Sequence, residues 1–183
     1  MGFGTDVPSS DAQLLADWVM ATRDHADQPF VIIDKIKAKV FAFDSRGVLL
    51  GAAPALLGLA QGDDNPPGIG DKPLSMITPA ERITPSGRFV AALGHDLGKQ
   101  DILWVDYASA ISLHRVIPGK ASDGRFQRLA SASTLDNRIS YGCINVPVDF
   151  YEGVIRPAFR ATTGIVYVLP EHKSVHEVFS IPR

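Results

Sequence analysis

One cysteine, Cys143, is all that the 183 residues offer, so no disulfide can form within the chain and the sequence is not that of a small cross-linked secreted fold. Reducing and oxidising compartments both stay open. No stretch reaches the roughly 20 apolar residues of a membrane-spanning helix. Met1 to Asp6 carry no basic segment leading into an apolar run, so neither a transmembrane segment nor a signal peptide is read in this chain. No block of lysine and arginine stands out either. Eighteen basic residues face 20 acidic ones for a net charge of -2, and nucleic acid is not an expected partner. Zinc signatures are missing as well: His172 and His176 share helical spacing but belong to no HExxH pattern, and there is no second cysteine. No metal and no cofactor are expected. Internal repeats and low-complexity runs are absent too.

What the chain does have is an ordinary globular balance, 45% hydrophobic and 21% charged, in a length that buries a core without staples. Ser10-Asp11-Ala12-Gln13 reads as a capping box. Leu14, Leu15, Trp18 and Val19 then recur at helical spacing, which predicts a helix from Asp11 to about Asp24. Phe30 to Ile33 and Val40 to Phe43 are short β-rich runs, and Asp44-Ser45-Arg46-Gly47 turns the chain into Val48 to Leu50. Between Gly58 and Gly87 glycine and proline are too dense for a regular element. A loop of that length is expected to carry function or to border a groove. Arg88 to Leu93, Ile102 to Val105 and Ile111 to Val116 predict three further strands. An irregular stretch, Pro118 to Asn137, precedes Ile139 to Asn145. Pro147 then opens a helix through Arg160 with Val148, Tyr151, Val154, Ile155 and Phe159 on one face, and Gly164 to Leu169 is the last strand. The fold class expected is mainly β with two flanking helices.

A lone buried cysteine is usually an inert small hydrophobe. The neighbours of Cys143 argue otherwise. Ser140-Tyr141-Gly142-Cys143-Ile144-Asn145 surrounds the thiol with a glycine, which permits close backbone approach, and with small polar groups. A thiol of ordinary pKa, about 8.5, is only a few per cent thiolate at neutral pH, so a nucleophilic cysteine needs a base within hydrogen-bond reach. Of the five histidines, His114 lies on a strand, where alternation puts Ser112, His114 and Val116 on the face opposite Ile111, Leu113 and Arg115. His95 sits in a glycine turn, His25 follows a helix, and His172 and His176 lie in the C-terminal tail. Solvated surface is expected for all four.

Taken in order, Thr84-Pro85-Ser86-Gly87-Arg88-Phe89, His114 on its strand, and Ser140-Tyr141-Gly142-Cys143-Ile144-Asn145 resemble the YkuD-type L,D-transpeptidase catalytic domain. That family shows an upstream Thr-Pro-x-Gly-x-Phe segment, a strand-end histidine, and a Ser/Thr-His-Gly-Cys motif followed by a hydrophobic residue and Asn or Arg. The resemblance runs from about Phe30 to Pro170. It divides the chain into an N-terminal helical extension, 1–28, and a β-sandwich-like catalytic domain, 29–183. Two departures stand out: Tyr141 replaces the usual motif histidine, and 29 positions separate His114 from Cys143, the extra length falling in Pro118 to Asn137.

The resemblance implies that Cys143 attacks a carbonyl of a peptidoglycan tetrapeptide stem, releasing D-alanine and leaving a thioester that an acceptor amine resolves. His114 would shuttle the proton. Backbone N–H groups around Tyr141, Gly142 and Cys143 would hold the oxyanion. Ser140 would order the loop, Asn145 would pin the motif, and Arg115 or Arg138 would pair with a stem carboxylate. A monomer acting in the periplasm or cell envelope is expected. Three other readings stay open: hydrolysis of the same thioester as an L,D-carboxypeptidase, a catalytically silent murein-binding module, and a thiol redox sensor, the last disfavoured by the lack of a resolving cysteine.

Overall fold

The computed structural model describes all residues, 1–183. Ten strands appear in chain order: β1 (Phe30–Asp34), β2 (Lys39–Phe43), β3 (Leu49–Pro54), β4 (Leu57–Gly58), β5 (Gly87–His95), β6 (Asp101–Asp106), β7 (Ile111–Arg115), β8 (Arg138–Ser140), β9 (Ile144–Val146) and β10 (Gly164–Val168). Eight of them form one mixed sheet in the order β3-β2-β1-β10-β5-β6-β7-β9, and β4 pairs with β8 in a parallel ribbon. Only β1 with β10 and β7 with β9 run parallel inside the large sheet. Its two ends approach each other, because the backbones of Leu56, just past β3, and Asn145, in β9, exchange hydrogen bonds of 2.8 and 2.9 Å. The result is a nearly closed, barrel-like sandwich, the mainly β architecture that the sequence predicts.

Strand alternation divides the apolar residues between two cores. Val31, Ile33, Val40, Leu103, Leu113 and Ile144 point inward, with Tyr151, Ile155 and Phe159 of the helix after the cysteine motif. Phe30, Ile32, Phe41, Phe43 and Tyr167 point outward and are covered by Leu15, Ala16 and Val19 of α1 (Ser10–Thr22) and by Val175 and Phe179 of a C-terminal helix. Residues 1–28 therefore pack only into the outer of the two cores, together with residues of 29–183.

Several boundaries differ from the sequence reading, each for a local reason. Ser9 caps α1, its Oγ accepting from Ala12 N at 3.1 Å, so the helix starts one residue earlier and Leu14 falls on the exposed side. The 118–137 stretch holds a short helix, α2 (Arg125–Leu129), and Ile139 to Asn145 is two strands with a turn at 141–143. The helix after Pro147, α3, covers 148–159 and contains a π turn, Tyr151–Ile155. The extra residue of that turn resets the helical phase, so Phe150 is buried and Val148 is exposed. The sequence reading has no counterpart for α4 (Val175–Phe179), capped by Ser174. His25, expected on the surface, is buried against Phe30 with Nε2 at 3.0 Å from Ser45 O.

Candidate active site

The parallel pair β7 and β9 sets the frame. Its register puts Leu113 beside Ile144, His114 beside Asn145 and Arg115 beside Val146. Ser112 and His114 lie two apart on one strand and so share a face, which is the face the turn 141–143 covers. That turn is held from both sides. Ser140 Oγ accepts from Gly142 N at 3.0 Å and donates to Cys143 O at 2.6 Å. Thr84 Oγ1 donates to Gly142 O at 2.7 Å while accepting from Gly58 N at 2.9 Å. Asn145 Nδ2 adds a 3.3 Å bond to Cys143 O. Gly142 itself has φ +130°, and a Cβ there would stand 2.6 Å from Ile83 O and 2.7 Å from Ile111 Cδ1. Both facts exclude a side chain. Gly142→Ala is expected to lower stability by about 1–3 kcal/mol and to displace the thiol, read as a lower melting temperature together with slower alkylation of Cys143.

Cys143 is partly exposed. Its Sγ accepts from Ser112 N at 3.4 Å and Ser112 Oγ at 3.5 Å, and lies 3.6 Å from Ala110 O. His114 lines the same cavity as the thiol, near enough for the two groups to act on each other electrostatically. Its ring nitrogen Nδ1 lies 2.7 Å from Arg115 O, and since a carbonyl only accepts, Nδ1 carries the hydrogen and Nε2 is the nitrogen left to take a proton. Burial pushes the Cys143 thiol up, but its interaction with His114, together with the Ser112 donors, outweighs this and brings the thiol below its ordinary range. Burial pulls His114 down, and the Cys143 thiolate more than reverses this. Each group thus favours the charged form of the other, which is the arrangement of an activated nucleophile and its base. No three His, Cys, Asp or Glu side chains converge on a site for a metal ion.

Two cavities meet at the sulfur. The larger, about 860 Å³, is walled by Trp104, Tyr107, Ile102, Ser112 and His114, with Leu97 and the β5–β6 turn at its rim. The smaller, about 280 Å³, is bounded by Ile69, Leu74, Ile77, Ile111 and Tyr141. The glycine- and proline-rich loop supplies three of these, so it does border the site. Trp104, Tyr107 and Ser112 were not singled out from sequence, although the alternation that picks His114 also picks Ser112. Thr84 lies in a quoted motif but has no role there.

The remaining predicted residues fall into two groups. Ser140, Gly142 and Asn145 lie at the site in ordering roles. The Gly142 N–H is committed to Ser140 Oγ, whereas the amides of Tyr141 and Cys143 donate to no protein acceptor. Tyr141 is half-exposed, with the Arg82 guanidinium 4.0 Å from its ring centroid. The two arginines assigned to a substrate carboxylate are engaged elsewhere. Arg115 bonds Asp101 Oδ1 at 2.9 Å and Glu152 Oε1 at 2.6 Å and stacks on Tyr151. Arg138 is buried against Glu171 and donates to Lys35 O at 2.9 Å.

No protein-family model and no curated protein matches this chain. Among solved structures, the helical cell shape determining protein Pgp2 from Campylobacter jejuni superposes with a TM-score of 0.51 at 13% identity, over 92% of this chain and 58% of that one. The chain therefore spans less than two thirds of Pgp2. The catalytic domain of an E. faecium L,D-transpeptidase aligns with a TM-score of 0.46 at 13% identity over 78% of this chain and 98% of that one. An L,D-transpeptidase from Mycobacterium smegmatis gives 0.43 at 16%, over 77% and 58%. The likeness to Pgp2 shows the fold. Fold and site together define a β-sandwich protein with a Cys–His pair at the junction of two cavities.

Proposed function

We propose that this chain is a cysteine acyltransferase of the L,D-transpeptidase type acting on peptidoglycan tetrapeptide stems. The observation that carries the reading is Cys143, paired with His114 and open to two separate cavities. The motif resemblance and the shared fold support it. In this reading the thiolate attacks the carbonyl between the L-centre of meso-diaminopimelate and the terminal D-alanine. The Tyr141 and Cys143 amides stabilise the oxyanion, and His114 protonates the departing amine. A second stem then enters from the other cavity and its amine resolves the thioester. Two entrances favour transfer over hydrolysis, since each can hold one peptide while the apolar walls limit water. The substrate puts the site of action outside the cytoplasmic membrane, and the likeness to a cell-shape protein points the same way.

The test is intact-mass spectrometry after incubation with a tetrapeptide stem or a carbapenem. A covalent adduct on the wild-type protein is expected, and none on Cys143→Ala, because Cys143 is the sole thiol. Turnover of the stem by Cys143→Ala at the wild-type rate would end this reading. With stem and acceptor both present, the dimeric peptide should exceed the shortened tripeptide. The reverse ratio would make the protein a carboxypeptidase.

A further inference from the structure

The stretch 118–137, which lengthens the interval between His114 and Cys143, sends one side chain against Asn145, the neighbour of His114 in the sheet. Arg125 opens α2, and its side chain is largely buried, 13% exposed. Its Nη1 donates to Asn145 Oδ1 at 3.0 Å. Its Nε is buried without a hydrogen bond and lies 3.5 Å from Asp123 Oδ2. Gly119, with φ +64°, makes the room, since a Cβ there would stand 2.9 Å from that Nε. Asn145 is the ladder partner of His114, so in a parallel pair the two side chains project from the same face. The guanidinium is thus anchored on the side chain next to the imidazole.

We propose that Arg125 is a positioning residue of the acyl transfer, a fixed cation that holds Asn145 in place and drives the proton off the imidazolium once the thiolate has been consumed. This rests on the acyl-transfer reading. In the resting pair the thiolate compensates the imidazolium. When sulfur bonds to the substrate carbonyl carbon its charge is lost, and the imidazolium is left with a neighbouring cation. As the tetrahedral adduct collapses and the C–N bond breaks, Nε2 gives its proton to the departing nitrogen. The acceptor amine later returns a proton to Nε2 as its nitrogen bonds the carbonyl carbon, and the C–S bond breaks to restore the thiolate. A fixed positive charge favours the first proton transfer, and the Arg125 charge opposes the protonated form of His114, against the larger pull of the thiolate. The other charged or titratable groups that share the larger cavity with His114 are Cys143 from the turn, His95 and Asp96 from the β5–β6 hairpin, Asp71 from the long loop and Tyr107 from the β6–β7 turn. Asp123 pairs with Arg125 itself at 3.5 Å, and the Arg115 guanidinium is held by Asp101 and Glu152.

The experiment uses protein whose Cys143 has been capped by iodoacetamide, a neutral thioether that stands in for the acyl-enzyme, and follows the His114 ring by NMR across pH. Arg125→Met and Arg125→Gln are each expected to raise its midpoint by about half a pH unit. Arg125→Lys keeps the charge and should stay within about 0.2 units of the capped wild type. A midpoint unchanged in both neutral variants overturns the proposal. So does an equal displacement in all three, which would trace the effect to packing and not to charge. The titration needs no substrate, so it decides whether the Arg125 charge acts on His114 separately from whether the protein transfers an acyl group.

Discussion

His114→Ala is expected to slow acylation of Cys143 by about 10² to 10⁴, the usual cost of losing a general base. The same change should move the alkylation profile. In the wild type, iodoacetamide should react with Cys143 below the ordinary thiol range, because His114 holds the thiol down. Without the imidazole, burial acts with less opposition, and the midpoint should move upward. Tyr141→Phe provides the contrast. It keeps the ring on which the Arg82 guanidinium stacks at 4.0 Å and removes only a half-exposed hydroxyl, so a loss of about tenfold or less is expected. Rapid-mixing mass spectrometry of the acyl-enzyme gives both rates. A Tyr141→Phe defect as large as that of His114→Ala would mean that the hydroxyl, and not the strand imidazole, serves the thiol.

The largest expected effect on stability lies outside the catalytic pair. Lys35 is wholly buried, and its ammonium meets Asp63 Oδ1 at 3.0 Å and Thr84 O at 2.9 Å, with Glu171 at 3.7 Å. The Asp63 carboxylate also accepts from the backbone N–H groups of Glu171, His172 and Lys173 at 2.8 to 2.9 Å. Asp63→Ala leaves those amides without an acceptor and strips the nearest counter-charge from a buried lysine. A loss of about 3–5 kcal/mol follows, and at roughly 2–4 °C per kcal/mol the melting temperature should fall by more than about 6 °C. The pH dependence carries a sign. Burial raises the Asp63 carboxyl, but the three backbone amides and Lys35 outweigh it and hold the group far below the carboxylate range. Its stabilising contribution is complete above the unfolded pKa of about 3.9 and is lost only as pH falls through the depressed folded value. The gap between wild type and Asp63→Ala should stay constant from neutral pH down to about pH 4 and close in stronger acid. A gap that closes between pH 5 and 7 would assign the effect to another group.

The legible parts of this chain are those whose determinants lie close together in sequence. Strand alternation sorts Phe30 and Ile32 from Val31 and Ile33, and the structure uses that sorting for two cores. The same alternation puts Ser112 on the His114 face, and the hexapeptide 140–145 marks the turn that carries Cys143. Partners distant in sequence were not legible. Arg115 and Arg138 look free when read singly, but Glu152 and Glu171 stand 37 and 33 positions away and neutralise them. Arg125 went unnoticed because it lies where no periodicity marks a face. The five-residue helix Val175–Phe179 is too short for its period to show above the noise of a tail. His25 was misassigned for a related reason: Ala26 and Asp27 both adopt positive φ, and the tight bend turns an imidazole inward where the residue types suggest solvent.

Thr84 joins facts that are usually separable. Its carbonyl rests on buried Lys35, and its hydroxyl ties Gly58 to the carbonyl just before the nucleophile. The loop that walls the smaller cavity is therefore also the mount on which the sulfur is aimed. Reshaping that cavity for a bulkier guest by altering the loop would shift the aim of the thiol as well. Selectivity and reactivity at this site are mechanically linked, and variation that broadens one will register in the other; the opposite wall shares the link, because Trp104 is the cross-strand partner of Ser112, which donates to the sulfur.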